Sequence, residues 1–85
     1  MKILCKYITT ATQVHTGKCY FLGLSCENGK AVAAYNIETS GNAAAANQVL
    51  YHNGLGIMLP EPGIECTNGL YVNIDGNAAI YYSLA

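Results

Sequence analysis

Eleven side chains in this 85-residue sequence are of the types that ligate metals or do acid–base and nucleophilic work. They are Glu27, Glu38, Glu61, Glu65, Asp75, His15, His52, Cys5, Cys19, Cys26 and Cys66. Catalysis needs such groups to converge, with at least one pKa displaced by its surroundings. Glu27, Glu38 and Asp75 flank or lie in turn-forming stretches, where a carboxylate is solvated. Glu61 and Glu65 are close in sequence, but Pro60-Glu61-Pro62-Gly63 is loop chemistry, and nothing beside it would raise one carboxyl above the other. His15 precedes Thr16-Gly17 and His52 precedes Asn53-Gly54, so both fall at strand ends. A zinc site wants paired ligands at short spacing, and the sequence has no C-x-x-C. A nucleophilic cysteine wants a base and an electropositive pocket. Cys19 and Cys26 instead lie within an apolar strand. G-x-S-x-G, P-loop and G-x-G-x-x-G patterns are absent. The reading is a protein with no catalytic residues, no metal and no cofactor.

The remaining chemistry is that of surfaces. Charged residues make up 11% of the chain, against about 25% in an average domain, while tyrosine occurs seven times. A domain this small buries only roughly 60% of its unfolded-chain surface, so much of its side-chain area faces outward. Interfaces deplete charge and enrich tyrosine. The composition therefore predicts a surface occupied by partners. Nucleic acid is an unsuitable partner, because the four lysines are scattered at 2, 6, 18 and 30 and arginine is absent. A membrane is equally unsuitable, since no stretch approaches the ~20 apolar residues of a span. Ile3-Leu4-Cys5 is too short for a signal-peptide core, so a chain without a signal peptide, cytosolic when made, is expected. In that compartment the four cysteines read as reduced thiols packed as small apolar groups.

The elements that must position these residues are strands. Asn28-Gly29, Asn53-Gly54, Asn68-Gly69 and Asp75-Gly76 are turn signals, because both residue types tolerate positive φ. Thr16-Gly17 and Ser40-Gly41-Asn42 add two more. Seven or eight short strands at this spacing predict a compact antiparallel β-sandwich in one domain, 1–85. The N-terminal strand, roughly Lys2 to Val14, has a drier face of Ile3, Cys5 and Tyr7, which is expected inward. The Asn28-Gly29 turn predicts a hairpin that pairs Glu27 with Lys30 and Cys26 with Ala31. Its core face would hold Tyr20, Leu22, Leu24, Cys26, Ala31, Ala33, Tyr35 and Ile37. Phe21, Val32 and Ala34 would then face outward. For 43–51 the four alanines favour helix, but nine residues make only a marginal one. A loop through the alanines and a strand over Gln48 to His52 is expected, with a short helix as the alternative. Pro60 to Gly63 is a surface loop, and Ile64 to Cys66, Leu70 to Ile74 and Ala78 to Leu84 are strands.

The last two of these strands bracket Asp75-Gly76. A two-residue turn would mix polar and apolar residues on both faces. A three-residue loop, Asp75-Gly76-Asn77, pairs Ile74 with Ala78 and gathers Leu70, Val72, Ile74, Ala78, Ile80, Tyr82 and Leu84 on one dry face. Burial specifies register more strongly than turn preference, so the longer loop is expected. Tyr71, Asn73 and Tyr81 are left facing outward and, with Phe21 and Tyr51, are the candidate interface residues.

Two passages carry a resemblance. TTATQVHTGKCYFLGLSCENG is a Thr-rich strand, a Gly turn and a strand with a Leu-Gly-Leu centre. LPEPGIECTNGLYVNIDGNAAIYYSL is a Pro-Gly loop, Gly-Ile-x-Cys, Asn-Gly-Leu-Tyr-Val and a final strand. Together they resemble small all-β bacteriophage proteins of the virion, of the head decoration (cement) or fibre-associated kind. The resemblance implies a sandwich, often jelly-roll-like, that acts by assembling. It would be made in the host cytoplasm, form a homo-oligomer (a trimer is expected) and bind the phage major capsid protein or another virion protein. Alternatives are a tail, neck or head-fibre adaptor, or a small carbohydrate-binding β-module with tyrosines as stacking platforms.

Overall fold

A computed structural model describes residues 2–26, 31–39 and 44–84. The Asn28-Gly29 turn with its Glu27–Lys30 pair, and the Ser40-Gly41-Asn42 turn, lie outside the described residues. The strands are β1 (Leu4–Ile8), β2 (Thr12–Thr16), β3 (Cys19–Cys26), β4 (Ala31–Tyr35), β5 (Gln48–Asn53), β6 (Gly56–Met58), β7 (Ile64–Cys66), β8 (Gly69–Ile74) and β9 (Ala78–Ser83). Among the described residues, the alanine-rich segment contributes a 3₁₀ turn over Ala45–Asn47, followed directly by β5.

Two antiparallel sheets form a sandwich. One runs β1-β9-β3-β6, with β7 also on β3, and the other runs β2-β8-β4-β5. The pairs nest: β1 with β9, β2 with β8, β3 with β6 and β7, β4 with β5. This nesting is that of a two-ply ribbon rolled up, the jelly roll. β6 and β7 behave as one broken strand. Gly56–Met58 pairs with Ser25–Gly23, and Ile64–Cys66 pairs with Phe21–Cys19, in the same direction along β3. The interruption is the Pro60–Gly63 loop, which includes a cis Glu61–Pro62 peptide. Proline cannot supply a ladder donor, so pairing lapses there.

The lapse faces an irregularity in β3. Its register against β9 shifts between Phe21 and Gly23, and Gly23 has φ +146°. Cys19 and Phe21 therefore point inward before the bulge, and Leu24 and Cys26 after it, all within the main core. Leu22 is buried apart from that core. Its carbonyl accepts the Leu59 N–H at 2.8 Å, and its side chain lies against Gly63. A one-residue bulge has thus reversed the strand's parity, as an extra residue in one strand must.

The core joins these residues to Ile8, Val14, Val32, Ala34, Cys66, Leu70, Val72, Ile74, Ala78 and Ile80. Four expectations are corrected. β3 and β4 are not a hairpin: β3 pairs with β9, β6 and β7, while β4 lies in the other sheet with β5 and β8. On β4 the inward residues are Val32 and Ala34, not Ala31 and Ala33. β8 and β9 likewise belong to opposite sheets, although Leu70, Val72, Ile74, Ala78 and Ile80 do share the core as expected. The N-terminal segment is two strands. In β1 the partners of core residues Ala78 and Ile80 are Ile8 and Lys6, so Cys5 and Tyr7 face outward and are exposed, as is Ile3. Being an edge strand lets Lys6 point to the core side yet remain in solvent.

Candidate docking faces

Strand pairing sets rows of side chains across each outer face. In the first sheet, register aligns Cys5 with Tyr81, Tyr81 with Gly23, and Gly23 with Met58. The next row is Tyr7, Ala79, Ser25 and Gly56. None of the eight is charged. Tyr7 is 59% exposed and Met58 60%, and nearby Leu55 is 69% exposed. Tyr81, Ser25, Leu55, Gly56 and Met58 line a shallow trough of about 610 Å³. Gly23 lets β6 approach β3 beside this trough. A methyl group there would collide with the Ile57 carbonyl oxygen and press on Met58. Among the described residues, charge lies at the margin, where Lys18 Nζ is 3.3 Å from Glu65 Oε2 and 5.7 Å from the Tyr20 ring centre. The Glu65 hydrogen bond, and then the Tyr20 and Glu65 charges, hold the Lys18 ammonium above its ordinary pKa.

The second outer face is different in chemistry. One row is Asn73, Ala33 and Tyr51; another is Gln13, Tyr71, Tyr35 and Gln48. Tyr35 and Tyr71 rings are 6.1 Å apart and tilted by 41°, a favourable aromatic contact. Tyr51, Asn73 and Asp75 surround an alanine floor, Ala31 and Ala33, in a depression of about 280 Å³. Gln13 is committed to structure: its Nε2 donates to the carbonyls of Ile37 at 2.8 Å and His15 at 2.9 Å.

Of the five candidate interface residues, Tyr51, Tyr71 and Asn73 share the second face. Tyr81 is on the first. Phe21 is wholly buried, beside Tyr82 in the inward register, and is corrected from interface to core. The expectation failed because the Phe21–Gly23 bulge puts Phe21 on the face that simple alternation assigns to Leu22. Cys5, Tyr7 and Met58 were missed as surface residues. For Cys5 and Tyr7 the signal is the dry Ile3-Cys5-Tyr7 alternation, which by itself reads as inward; Met58 carries no such signal.

Among the described residues, no group of three or more His, Cys, Asp or Glu is placed to hold a metal ion. His15 on β2 and His52 on β5 lie at opposite edges of one sheet. Glu61 is exposed, and Glu65 is engaged by Lys18. A polar cleft beside Asn36, Ile37, Glu38, Asn47 and Asn68 is tied up internally: Asn36 Oδ1 accepts the Asn68 N–H at 2.8 Å, and Asn36 Nδ2 donates to Thr67 Oγ1 at 3.2 Å. Two thiols do meet: Cys19 and Cys66 are direct cross-strand partners. No described helix is long and apolar enough to cross a membrane.

Compared with protein-family models, with curated proteins and with solved structures, the chain matches none.

Proposed function

We propose that this chain is a non-enzymatic structural subunit of a bacteriophage virion, self-assembling and docking on the capsid surface as a decoration or cement protein. The observation that carries the reading is the pair of uncharged rows on the outer face of the first sheet, one of them the aligned Cys5, Tyr81, Gly23 and Met58. Exposed contiguous apolar surface on a small domain marks an interaction site. Size fits as well. The molecule extends 29 × 29 × 18 Å, so a broad face offers on the order of 800 Å², the standard contribution of one partner. In this reading that face meets further copies of the chain, as a trimer. The second face, with Tyr51, Tyr71 and Asn73, is left for the capsid protein. Jelly rolls recur in viral capsid proteins, an analogy of fold that adds prior weight and no residue roles.

Light scattering on the eluting protein, followed by co-sedimentation with purified phage shells, tests the proposal. A trimer that sediments with shells is expected. A monomer that ignores shells would overturn it.

A second reading, a small carbohydrate-binding module, is favoured by one observation. Tyr51, Asn73 and Asp75 around the alanine floor combine a stacking ring with amide and carboxylate hydrogen-bonding groups. Glycan-array binding by a monomer, lost in Tyr51→Ala, would select this reading over the first.

A further inference from the structure

We propose that Cys19 and Cys66 form a thiol-oxidation site at which the reduced chain closes a disulfide between β3 and β7. Register places them directly opposite one another, both are wholly buried, and both belong to the inward-facing core. Direct antiparallel partners have Cα atoms about 4.5–5.5 Å apart, inside the range of roughly 4.4–6.8 Å that a disulfide spans. The other two cysteines have no such opportunity. Cys26 pairs with Ala78 at the far end of β3, seven positions from Cys19, which is about 23 Å along a strand. Cys5 lies on the outer face opposite Tyr81.

Access comes through β7. It has three residues, its one strand partner is β3, and it is bounded by the Pro60–Gly63 loop and the Thr67-Asn68 turn. Short, singly paired elements open locally at far less cost than the whole domain unfolds. A hydrogen bond between the two thiols favours a Cys19 thiolate and pushes the Cys66 thiol up, while the Cys66 Sγ–H is also within reach of the Ile64 carbonyl at 3.8 Å. Either sulfur can attack first, and the product is the same.

The oxidant is a small-molecule disulfide such as glutathione disulfide. The Cys19 thiolate attacks one glutathione sulfur, forming a mixed disulfide and releasing one glutathione thiolate. The Cys66 thiol gives its proton to solvent and attacks the Cys19 sulfur, expelling the second glutathione. Two protein thiols are oxidised and one glutathione disulfide becomes two glutathiones. The new bond fastens β7, and with it the loop over Leu22, to the centre of the first sheet. It joins positions far apart in sequence, which is where a cross-link constrains the unfolded chain most.

The test uses the full chain with Cys5→Ser and Cys26→Ser, purified reduced, incubated with glutathione disulfide without denaturant, then quenched in acid. The expected product is lighter by two hydrogen atoms, has no titratable thiol after denaturation, and melts about 8 °C or more above its reduced form. Two free thiols, or only glutathione adducts, would overturn the proposal. So would a link that forms in urea but not in buffer. Wild-type protein gives an independent readout if the double variant folds poorly: peptide mapping must then find Cys66 linked to Cys19. A Cys66–Cys26 link would refute it. Cys66→Ala is expected to retain glutathione on Cys19.

Discussion

Gly23 of β3 lies directly opposite Met58 of β6, and the absence of a side chain at position 23 lets the two strands approach. Its φ of +146° is one that other residues rarely adopt. Gly23→Ala therefore meets two obstacles, a strained backbone and a collision with the Ile57 carbonyl. A loss of about 2–4 kcal/mol in urea unfolding is expected. Hydrogen exchange should locate the damage in 55–58. A neutral Gly23→Ala would show that β6 does not need this close approach.

Phe21 offers a way to separate core from surface. It is wholly buried and packs in register with Tyr82 and Ile64. Phe21→Ala removes a ring that the collapsed core cannot replace, and a cost of about 3–5 kcal/mol is expected. Tyr51, at 60% exposure, should cost within about 0.5 kcal/mol when truncated. Paired urea titrations decide the matter. Equal effects at the two positions would contradict the burial difference on which both expectations depend.

The sandwich, and most strand positions, are legible in the sequence because period-2 alternation marks the dry faces and the chain does reverse at Asn53-Gly54, Asn68-Gly69 and Asp75-Gly76. Leu70, Val72, Ile74, Ala78 and Ile80 were recognisable as one dry set for this reason. Alternation shows which face of a strand is dry. It does not say whether the next dry face lies beside it or across the core. Asp75-Gly76 reads as a hairpin turn, yet the chain uses it to cross from one sheet to the other, which buries the same residues. The candidate faces were harder to read. The extra residue between Phe21 and Gly23 reverses alternation halfway along β3, and only the glycine hints at it. Cys5 and Tyr7 are apolar but outward, because the edge strand gives its inward positions to Leu4, Lys6 and Ile8.

Alkaline conditions should weaken the fold. Burial pushes the Cys26 thiol above its ordinary value of 9.0, and the Glu65 contact raises Lys18 above 10.5. A group whose folded pKa is raised adds stability that is complete below its unfolded pKa and disappears as pH climbs through the folded one. For Cys26 the unfolded chain releases its proton first, so the decline begins near pH 9. For Lys18 the ammonium that holds Glu65 is lost at higher pH. Thermal melts from pH 7 to 11 under reducing conditions should show the midpoint falling from about pH 9 upward. Cys26→Ala is expected to lessen the first part of that decline, which the raised Cys66 thiol shares, and Glu65→Gln to lessen the last. A midpoint that stays level to pH 11 would contradict both shifts.

The proposed association through the first sheet predicts a difference between two faces of one molecule. Tyr81 lies at the centre of its row, between Cys5 and Gly23, and lines the trough with Met58 and Leu55. Central aromatic residues dominate interface energetics, so Tyr81→Ala should weaken subunit association by at least about 2 kcal/mol, roughly 30-fold in Kd. Met58→Lys should act in the same direction, by placing a charge where its partner offers no acid. Asn73→Ala and Tyr51→Ala, on the opposite face, should leave association unchanged while weakening attachment to shells. Sedimentation velocity across a dilution series reads the first effect, and shell co-sedimentation reads the second. If Tyr51→Ala dissociates the oligomer and Tyr81→Ala does not, the two faces have been assigned the wrong way round.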